Sequence, residues 1–346
     1  MEIILKTINK KVDFSKTVVF TDLHYGMRNN SREHNTTCEN FVKWVIEEAE
    51  KWGSKTCIFA GDWHHVRSAI NISTLNYSVS GLKLLNDYFD NVFFVLGNHD
   101  LFYRDKYEIH SIPYIDQFEN IHLVSEITTV QDVAFVPWLV GDDWKLVPKI
   151  KAPYVFGHFE LPHFKMNAMV EMPDHGLLNM NHFEHQKQVF SGHFHTRQYN
   201  SKIWYIGNCF PHNYADAWDD ERGMMFWTPG EEPVFKAYPD APKYRTLTLS
   251  QVLTDPYKFI DNRTYARIAV DVSLTYEEAN FMKELFEVEL QAKEITLQTA
   301  RVDDLEIDGS VDINFESVDT IVISHLKSIE SNTIDSQELI NIYQSI

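Results

Sequence analysis

The sequence predicts a layered α/β domain followed by a small α+β module and C-terminal helices, and three observations lead to that reading. Between residues 14 and 230, short β-branched or aromatic runs alternate with longer amphipathic segments, the order expected of a sheet with helices packed on it. Several of those runs end at once in Gly, Asp, Asn or His. After about residue 240 the texture changes, and the chain reads as a smaller unit with a distinct tail.

Taken in order, "KTVVF" (16–20), "TCIFA" (56–60), "NVFFVL" (91–96), "DVAFVPWL" (132–139), "PYVFGH" (153–158), "QVFSGH" (188–193) and "IWYIGN" (203–208) read as buried strands. Between the first two, "CENFVKWVIEEAEKWG" has apolar residues at helical spacing and stops at Gly53, a suitable C-terminal cap. Residues 74–90 supply the next helix, with Gly81 tolerated at some cost. Beyond residue 240, "APKYRTLTLSQV" and "RIAVDVS" read as strands, "TYEEANFMKELFEVELQA" as an amphipathic helix and "EITLQTARV" as a further strand. The tail, "SVDTIVISHLKSIE" and "DSQELINIYQSI", reads as two short helices, with Ser331 or Asp335 available to start the second. The expected domains are 1–240, 241–315 and 316–346.

Composition narrows the class. A chain of 346 residues that is 44% hydrophobic can bury a sizeable core. Cys38, Cys57 and Cys209 are widely spaced and form no CxxC pair, which argues against a disulfide framework or a thiolate metal site and suits a reducing cytoplasm. The N-terminal "MEIILKTINKKVDF" breaks into polar residues before any signal-like core develops, so a soluble, cytoplasmic protein is expected. With 31 Lys and Arg against 50 Asp and Glu, the formal charge is −19. Such a chain repels polyanions at long range, so contact with nucleic acid requires a local positive groove, bound cations or a basic partner.

The strand ends hold the chemistry, because ligands of open α/β sheets gather outside the carboxyl ends of the strands. The first strand runs into "TDLHYG", with Asp22 and His24; the second into "GDWHH", with Asp62, His64 and His65; the third into "GNHD", with Asn98, His99 and Asp100. Later strands end in "GHFE", with His158, and in "GHFH", with His193 and His195. A single strand-terminal histidine is usually a hydrogen-bonded structural residue. The ordered series is a far more specific signal. Carboxylate, imidazole and amide oxygen together suit manganese, iron or zinc, and Asp62 is the natural bridge between two such ions.

The series resembles that of calcineurin-like metallophosphoesterases, a β-sandwich flanked by helices. Within that family it is similar to the SbcD-type DNA-repair nucleases and the small subunits of the recombination endonucleases of T-even-like phages. "FVPWL", "HGLL", "VFSGHFHT", "YIGN" and "ERGMMFW" extend the likeness to about residue 230. The resemblance implies one metal held by Asp22, His24, Asp62 and His195, and a second by Asp62, Asn98, His158 and His193. It implies that His99 protonates the leaving oxygen or stabilises the transition state, that His65 helps to place the phosphate, and that Asp100 orients His99 through its ring. It further implies two divalent ions, foremost Mn2+, a capping domain, a homodimer, and a C-terminal helix-loop-helix that docks on an SbcC-type ATPase with a coiled coil.

Residues outside the series have plainer readings. His64 reads as exposed, and His163, His175, His182, His185 and His212 as loop or surface residues. The first 14 residues suggest an added edge strand or arm. Trp63, Phe102, Tyr103, Phe159 and Phe194 either pack around the site or stack on a splayed base. Arg28, Arg32, Arg67, Arg104 and Arg197 are the candidate phosphate contacts, and Ile321, Leu326, Leu339 and Tyr343 the candidate partner face. A DNA nuclease in recombination and repair is the leading expectation. A phosphatase or cyclic-nucleotide phosphodiesterase with the same metals is the alternative, and a non-enzymatic scaffold the third.

Overall fold

The computed structural model describes residues 5–166, 170–273 and 275–299, and the described residues up to Gln298 group as one compact unit. The expected helix pair at 316–346, with Ile321, Leu326, Leu339 and Tyr343, lies outside the described residues. In chain order the strands are β1 (Lys6–Thr7), β2 (Thr17–Phe20), β3 (Thr56–Phe59), β4 (Asn91–Val95), β5 (Ile121–Val124), β6 (Thr128–Val130), β7 (Val133–Val136), β8 (Tyr154–His158), β9 (Gln188–Gly192), β10 (Gln198–Asn200), β11 (Ile203–Tyr205), β12 (Gly223–Trp227), β13 (Val234–Ala237), β14 (Lys243–Thr248), β15 (Thr264–Val270) and β16 (Glu294–Thr299). Three helices matter here: α1 (Arg32–Trp52), α2 (Ile72–Tyr88) and α3 (Tyr276–Glu284).

The strands form three sheets, in the orders β1-β6-β7-β8-β9-β11-β10, β13-β12-β2-β3-β4-β5 and β14-β15-β16. The first two face each other. Alternation along the strands shows why: Val19, Ile58 and Phe93 of the second sheet meet Phe135, Phe156 and Phe190 of the first in one cluster, with the Phe93 and Phe135 rings stacked 4.3 Å apart. The neighbouring residues Val18, Phe20, Cys57, Phe59 and Phe94 point the other way, onto Phe41 and Val45 of α1 and Leu82 and Leu85 of α2. The expected layered sandwich is therefore present, with mixed sheets and flanking helices.

Local sequence accounts for most boundaries. α1 opens on Ser31, whose side chain accepts the His34 amide, and closes on Gly53 at φ 76°. Gly81 in α2 has a packing reason, because a Cβ there would lie 2.6 Å from the Tyr25 hydroxyl and against Trp63. Lys6–Thr7 pairs in parallel with β6 as an edge strand, as the N-terminal arm suggested. The third sheet has its own small core of Leu247, Val252, Ile268 and Phe286. No helix among the described residues is long and apolar enough to cross a membrane.

Candidate metal centre and active site

Five strand ends converge at one edge of the sandwich. β2 leads into Asp22 and His24, β3 into Asp62, β4 into Asn98, β8 ends on His158, and β9 leads into His193 and His195. Strands β2 to β5 run parallel, as do β7, β8 and β9, so their carboxyl ends deliver these residues together. The first two loops are then laced to each other: the Asp22 amide donates to the Gly61 carbonyl at 2.9 Å and the Leu23 amide to the Asp62 carbonyl at 3.0 Å. Gly97 is required by this closeness, since a Cβ there would stand 2.2 Å from Asp62 Oδ1. Asp22, His24, Asp62 and His193 all have left-handed backbones, at φ 53°, 55°, 64° and 86°. Such conformations cost of the order of 1–3 kcal/mol each and persist where the surroundings hold them.

The donor atoms fall into overlapping groups. Asp22, His24 and Asp62 form one, and Asp62, His158 and His193 another. His24 Nε2 stands 3.8 Å from Asp22 Oδ1 and 3.7 Å from Asp62 Oδ2, and His195 Nε2 is 3.8 Å from Asp22 Oδ1. On the other side, His158 Nε2 is 3.3 Å from Asp62 Oδ2, and Asn98 Oδ1 is 3.1 Å from His158 Nε2 and 3.0 Å from His193 Nδ1. Ligands at about 2 Å from a common ion lie roughly this far from one another.

Burial makes the cluster electrostatically demanding. Asp22, His24, Asp62, Asp100 and His158 are all buried, and buried carboxylates need compensating charge. Burial pushes the Asp62 carboxyl up, but the neighbouring His158, His99 and His24 outweigh it and hold the group well below its ordinary range. Burial pushes His158 down, and Asp62 more than reverses that, carrying it up to about 9. Burial lowers the His65 imidazole to about 4, and burial also lowers His99.

Asp100 has a different task from the one expected. It does not orient the His99 ring; its carboxylate accepts the amides of Asp62, Trp63 and Gly97 at 2.9 Å and that of His64 at 3.2 Å. It is the clasp that binds the β3 and β4 loops. Burial, with Asp62 close by, pushes it up to about 7 against the pull of those amides. The His99 ring is held by its neighbour instead, with Nδ1 2.6 Å from the His65 carbonyl, and the two imidazoles stack at 5.4 Å.

The donor set fits divalent ions. Both ring nitrogens of His24 are buried without a hydrogen-bond partner among the described residues, an arrangement that a cation resolves and water-free packing does not. All three cysteines are buried, and none belongs to a donor group among the described residues, so those groups offer oxygen and nitrogen alone.

Several other residues sit differently from their sequence reading. His64 and His212 are buried, not exposed. Trp63, Phe159 and Phe194 pack inside, whereas Phe102 and Tyr103 remain exposed. Arg28 lies over the Tyr265 ring at 4.2 Å and pairs with Glu294, and Arg197 lies over Phe235 at 4.2 Å while donating to the Ile206 carbonyl. Arg32 lines a separate cavity with Glu33 and Lys293, whereas Arg104 walls the cavity that includes His158 and Arg67 lies within electrostatic reach of Asp62.

Sequence reading missed Glu160, whose carboxylate lies 3.6 Å from His193 Nε2, and Trp138, whose ring is 5.0 Å from that of His193. Both stand in quoted segments, "GHFE" and "FVPWL", that carry the only hint of their place. His212 and Asp216 follow "YIGN" with no local signal at all, while Arg222 stands in the quoted "ERGMMFW".

No family model matches the chain. It is similar to exonuclease subunit 1 of Enterobacteria phage T4, at 26% identity over 329 residues, which span 92% of this chain and 94% of that protein. Among solved structures, the Pseudomonas putida nuclease MPE aligns at 18% identity over 52% of this chain with a TM-score of 0.29, and this chain spans 61% of its length. A dimetal phosphatase from Danio rerio aligns at 11% identity over 65% of this chain and 96% of its own, with a TM-score of 0.38. Both scores are low, and the fold rests on the sheet order itself. The likeness that the strand-end motifs suggest therefore extends over nearly the whole sequence: this chain is similar to a phage exonuclease subunit.

Proposed function

We propose that this protein is a metal-dependent DNA nuclease that hydrolyses phosphodiester bonds as the nuclease subunit of an SbcC/SbcD-type end-processing complex. The observation that carries the reading is the place of Asp62 in two donor groups at once, which is what a carboxylate bridging two ions requires. The similarity to a phage exonuclease subunit supports DNA as the substrate. In this reading Asp22, His24, Asp62 and His195 hold one ion, and Asp62, Asn98, His158 and His193 the other. Two divalent ions there, Mn2+ foremost, supply Lewis-acid polarisation of the phosphate and acidification of water.

The remaining work belongs to side chains around them. The His65 carbonyl can only accept, so His99 Nδ1 carries its hydrogen, and Nε2, once it has taken up a second proton to form the imidazolium, would be the nitrogen that passes that proton to the departing sugar oxygen. His65, stacked on His99, steadies that ring and helps place the phosphate. Asp100 keeps the two loops in register. A cavity of about 360 Å³ beside His158, walled by Trp138, Trp144, Phe159 and Leu177, offers apolar and aromatic surface for a base next to the scissile phosphate. Arg67 and Arg104 supply positive charge near the cluster, and the bound ions offset part of the overall −19. In the same reading the protein works as a homodimer with a coiled-coil ATPase, docked through residues 316–346.

The test is degradation of end-labelled linear duplex DNA with Mn2+ by the wild type and His99→Ala, with and without such an ATPase. Cleavage by the wild type that disappears in the variant supports the reading. Hydrolysis of small phosphodiesters or phosphomonoesters with no DNA cleavage under any condition would replace it with the phosphatase alternative.

A further inference from the structure

A third histidine closes on the first metal position from a loop that the strand-end series does not include. His24, His195 and His212 each offer a ring nitrogen, and those atoms lie within 4.8 Å of one another. The His212 ring stands nearly perpendicular to both neighbours, 5.4 Å from His24 and 5.3 Å from His195 between centroids. His212 is fully buried, and neither of its ring nitrogens has a hydrogen-bond partner among the described residues. Leaving a buried polar atom unsatisfied is costly, so this ring position needs a reason.

The backbone of the loop is held with care. The His212 amide donates to Asp216 Oδ2 at 2.8 Å, and Asn208 Nδ2 donates to the same oxygen at 3.3 Å. Arg222 pairs with Asp216 Oδ1 at 3.2 Å and donates to the His195 carbonyl at 2.7 Å. One buried network therefore fixes the main chain of His195 and His212 together, as the supports of paired ligands do. The plain alternative is a packed core histidine against Phe210 and His34, with rings 5.1 and 5.6 Å away. His34 shows what such a residue looks like here: its Nε2 reaches the His24 carbonyl at 3.0 Å, whereas neither ring nitrogen of His212 has a hydrogen-bond partner among the described residues.

We propose that His212 is a further ligand of the ion faced by Asp22, His24, Asp62 and His195, an inference that rests on the metal-centre reading above. A third imidazole makes this position richer in nitrogen than its neighbour, and it should favour borderline transition ions over Mg2+. The two ion positions are then chemically unequal, the second relying on Asn98, two imidazoles and the shared carboxylate.

The experiment is a cobalt titration of the full chain, followed by visible absorption and by the rise in Tm on adding Co2+. It compares the wild type with His212→Ala, the volume-filling His212→Phe, and His34→Gln as a buried control. The expected result is two ions per wild-type chain, with both His212 variants binding one ion at least about 10-fold more weakly and showing an altered cobalt spectrum. The metal-induced rise in Tm should shrink in those variants and remain in His34→Gln. Two ions bound at wild-type affinity with an unchanged spectrum in both variants would overturn the His212 assignment and leave the centre intact. So would a Tm lowered equally with and without cobalt, the mark of a packing role. A wild type that binds no cobalt would remove the centre and this inference with it.

Discussion

The floor of the site and the edge of the third sheet are both built from arginine and carboxylate partners, yet they differ in how far water reaches them. In the floor, Arg222 is 2% exposed and pairs with Asp216 at 3.2 Å and Asp219 at 2.8 Å while holding the His195 carbonyl. At the third sheet, Arg28 meets Glu294 at 3.1 Å and Lys293 meets Glu33 at 2.8 Å, with all four side chains partly exposed. Removing one partner of a buried pair strands the other without solvent, whereas an exposed pair exchanges its partner for water at little cost. The same chemistry is therefore architecture in one place and adjustable docking in the other. The bridge between them is Arg245 on β14, which grips Asp220 through two hydrogen bonds, at 2.9 and 2.5 Å, on the loop that carries His212 and Arg222.

The contrast breaks most sharply at its centre. Asp62→Asn should weaken at least one ion by more than about 100-fold, since changes even one shell further out typically cost 10–100-fold; metal analysis of the purified variant checks this. His99→Ala should cut the rate by roughly 10²–10⁴-fold, the usual share of a general acid, while equilibrium dialysis still finds both ions bound. If that variant loses both ions, His99 belongs to the metal shell and its proposed role fails.

Stability should divide the two networks next. Arg222→Met is expected to cost roughly 3–5 kcal/mol, because Asp216 is left buried and unpaired, read as a lowered denaturation midpoint. Arg28→Ala should cost only about 0.5–1 kcal/mol for its cation–π contact with Tyr265; a loss comparable to that of Arg222→Met would show the third sheet to be fastened as rigidly as the site floor.

The smallest effect concerns pH. Burial pushes the Asp261 carboxyl up, and the Lys243 ammonium, with the Arg263 amide and the Thr264 hydroxyl, outweighs it, holding the group well below its ordinary range. A depressed folded pKa contributes stability that is present above the unfolded value, about 3.9, and lost as pH falls through the folded one. Asp261→Asn should therefore narrow the difference in stability between pH 5 and pH 2 by a small amount, because the group is partly exposed and screened. An unchanged difference would show that the Lys243–Asp261 contact contributes nothing.

What could be read from the chain alone was local. Continuous β-branched and aromatic runs located the main strands, Gly53 stopped α1, and the residues at or just past each strand end named Asp22, His24, Asp62, Asn98, His158, His193 and His195 as a set. The structure brings these residues together because parallel strands place their carboxyl ends at one edge, so a residue at a strand end has its approximate position written in its sequence context. Ile121–Val124 and Gly223–Trp227 escaped notice as strands because short runs at or near sheet edges carry weak periodicity.

Tertiary structure decided the rest. Asp100 became a clasp for two loops and not a partner of His99, since the amides of Asp62, Trp63, His64 and Gly97 reach it first. Arg28 and Arg197 acquired aromatic partners that no spacing announces. His212 sits in an irregular loop, where no period relates one residue to the next, and only the buried Asp216 and Arg222 network brings it against His24 and His195. Periodicity encodes which face of an element is buried. It does not encode which two loops meet, because that depends on the packing of whole sheets.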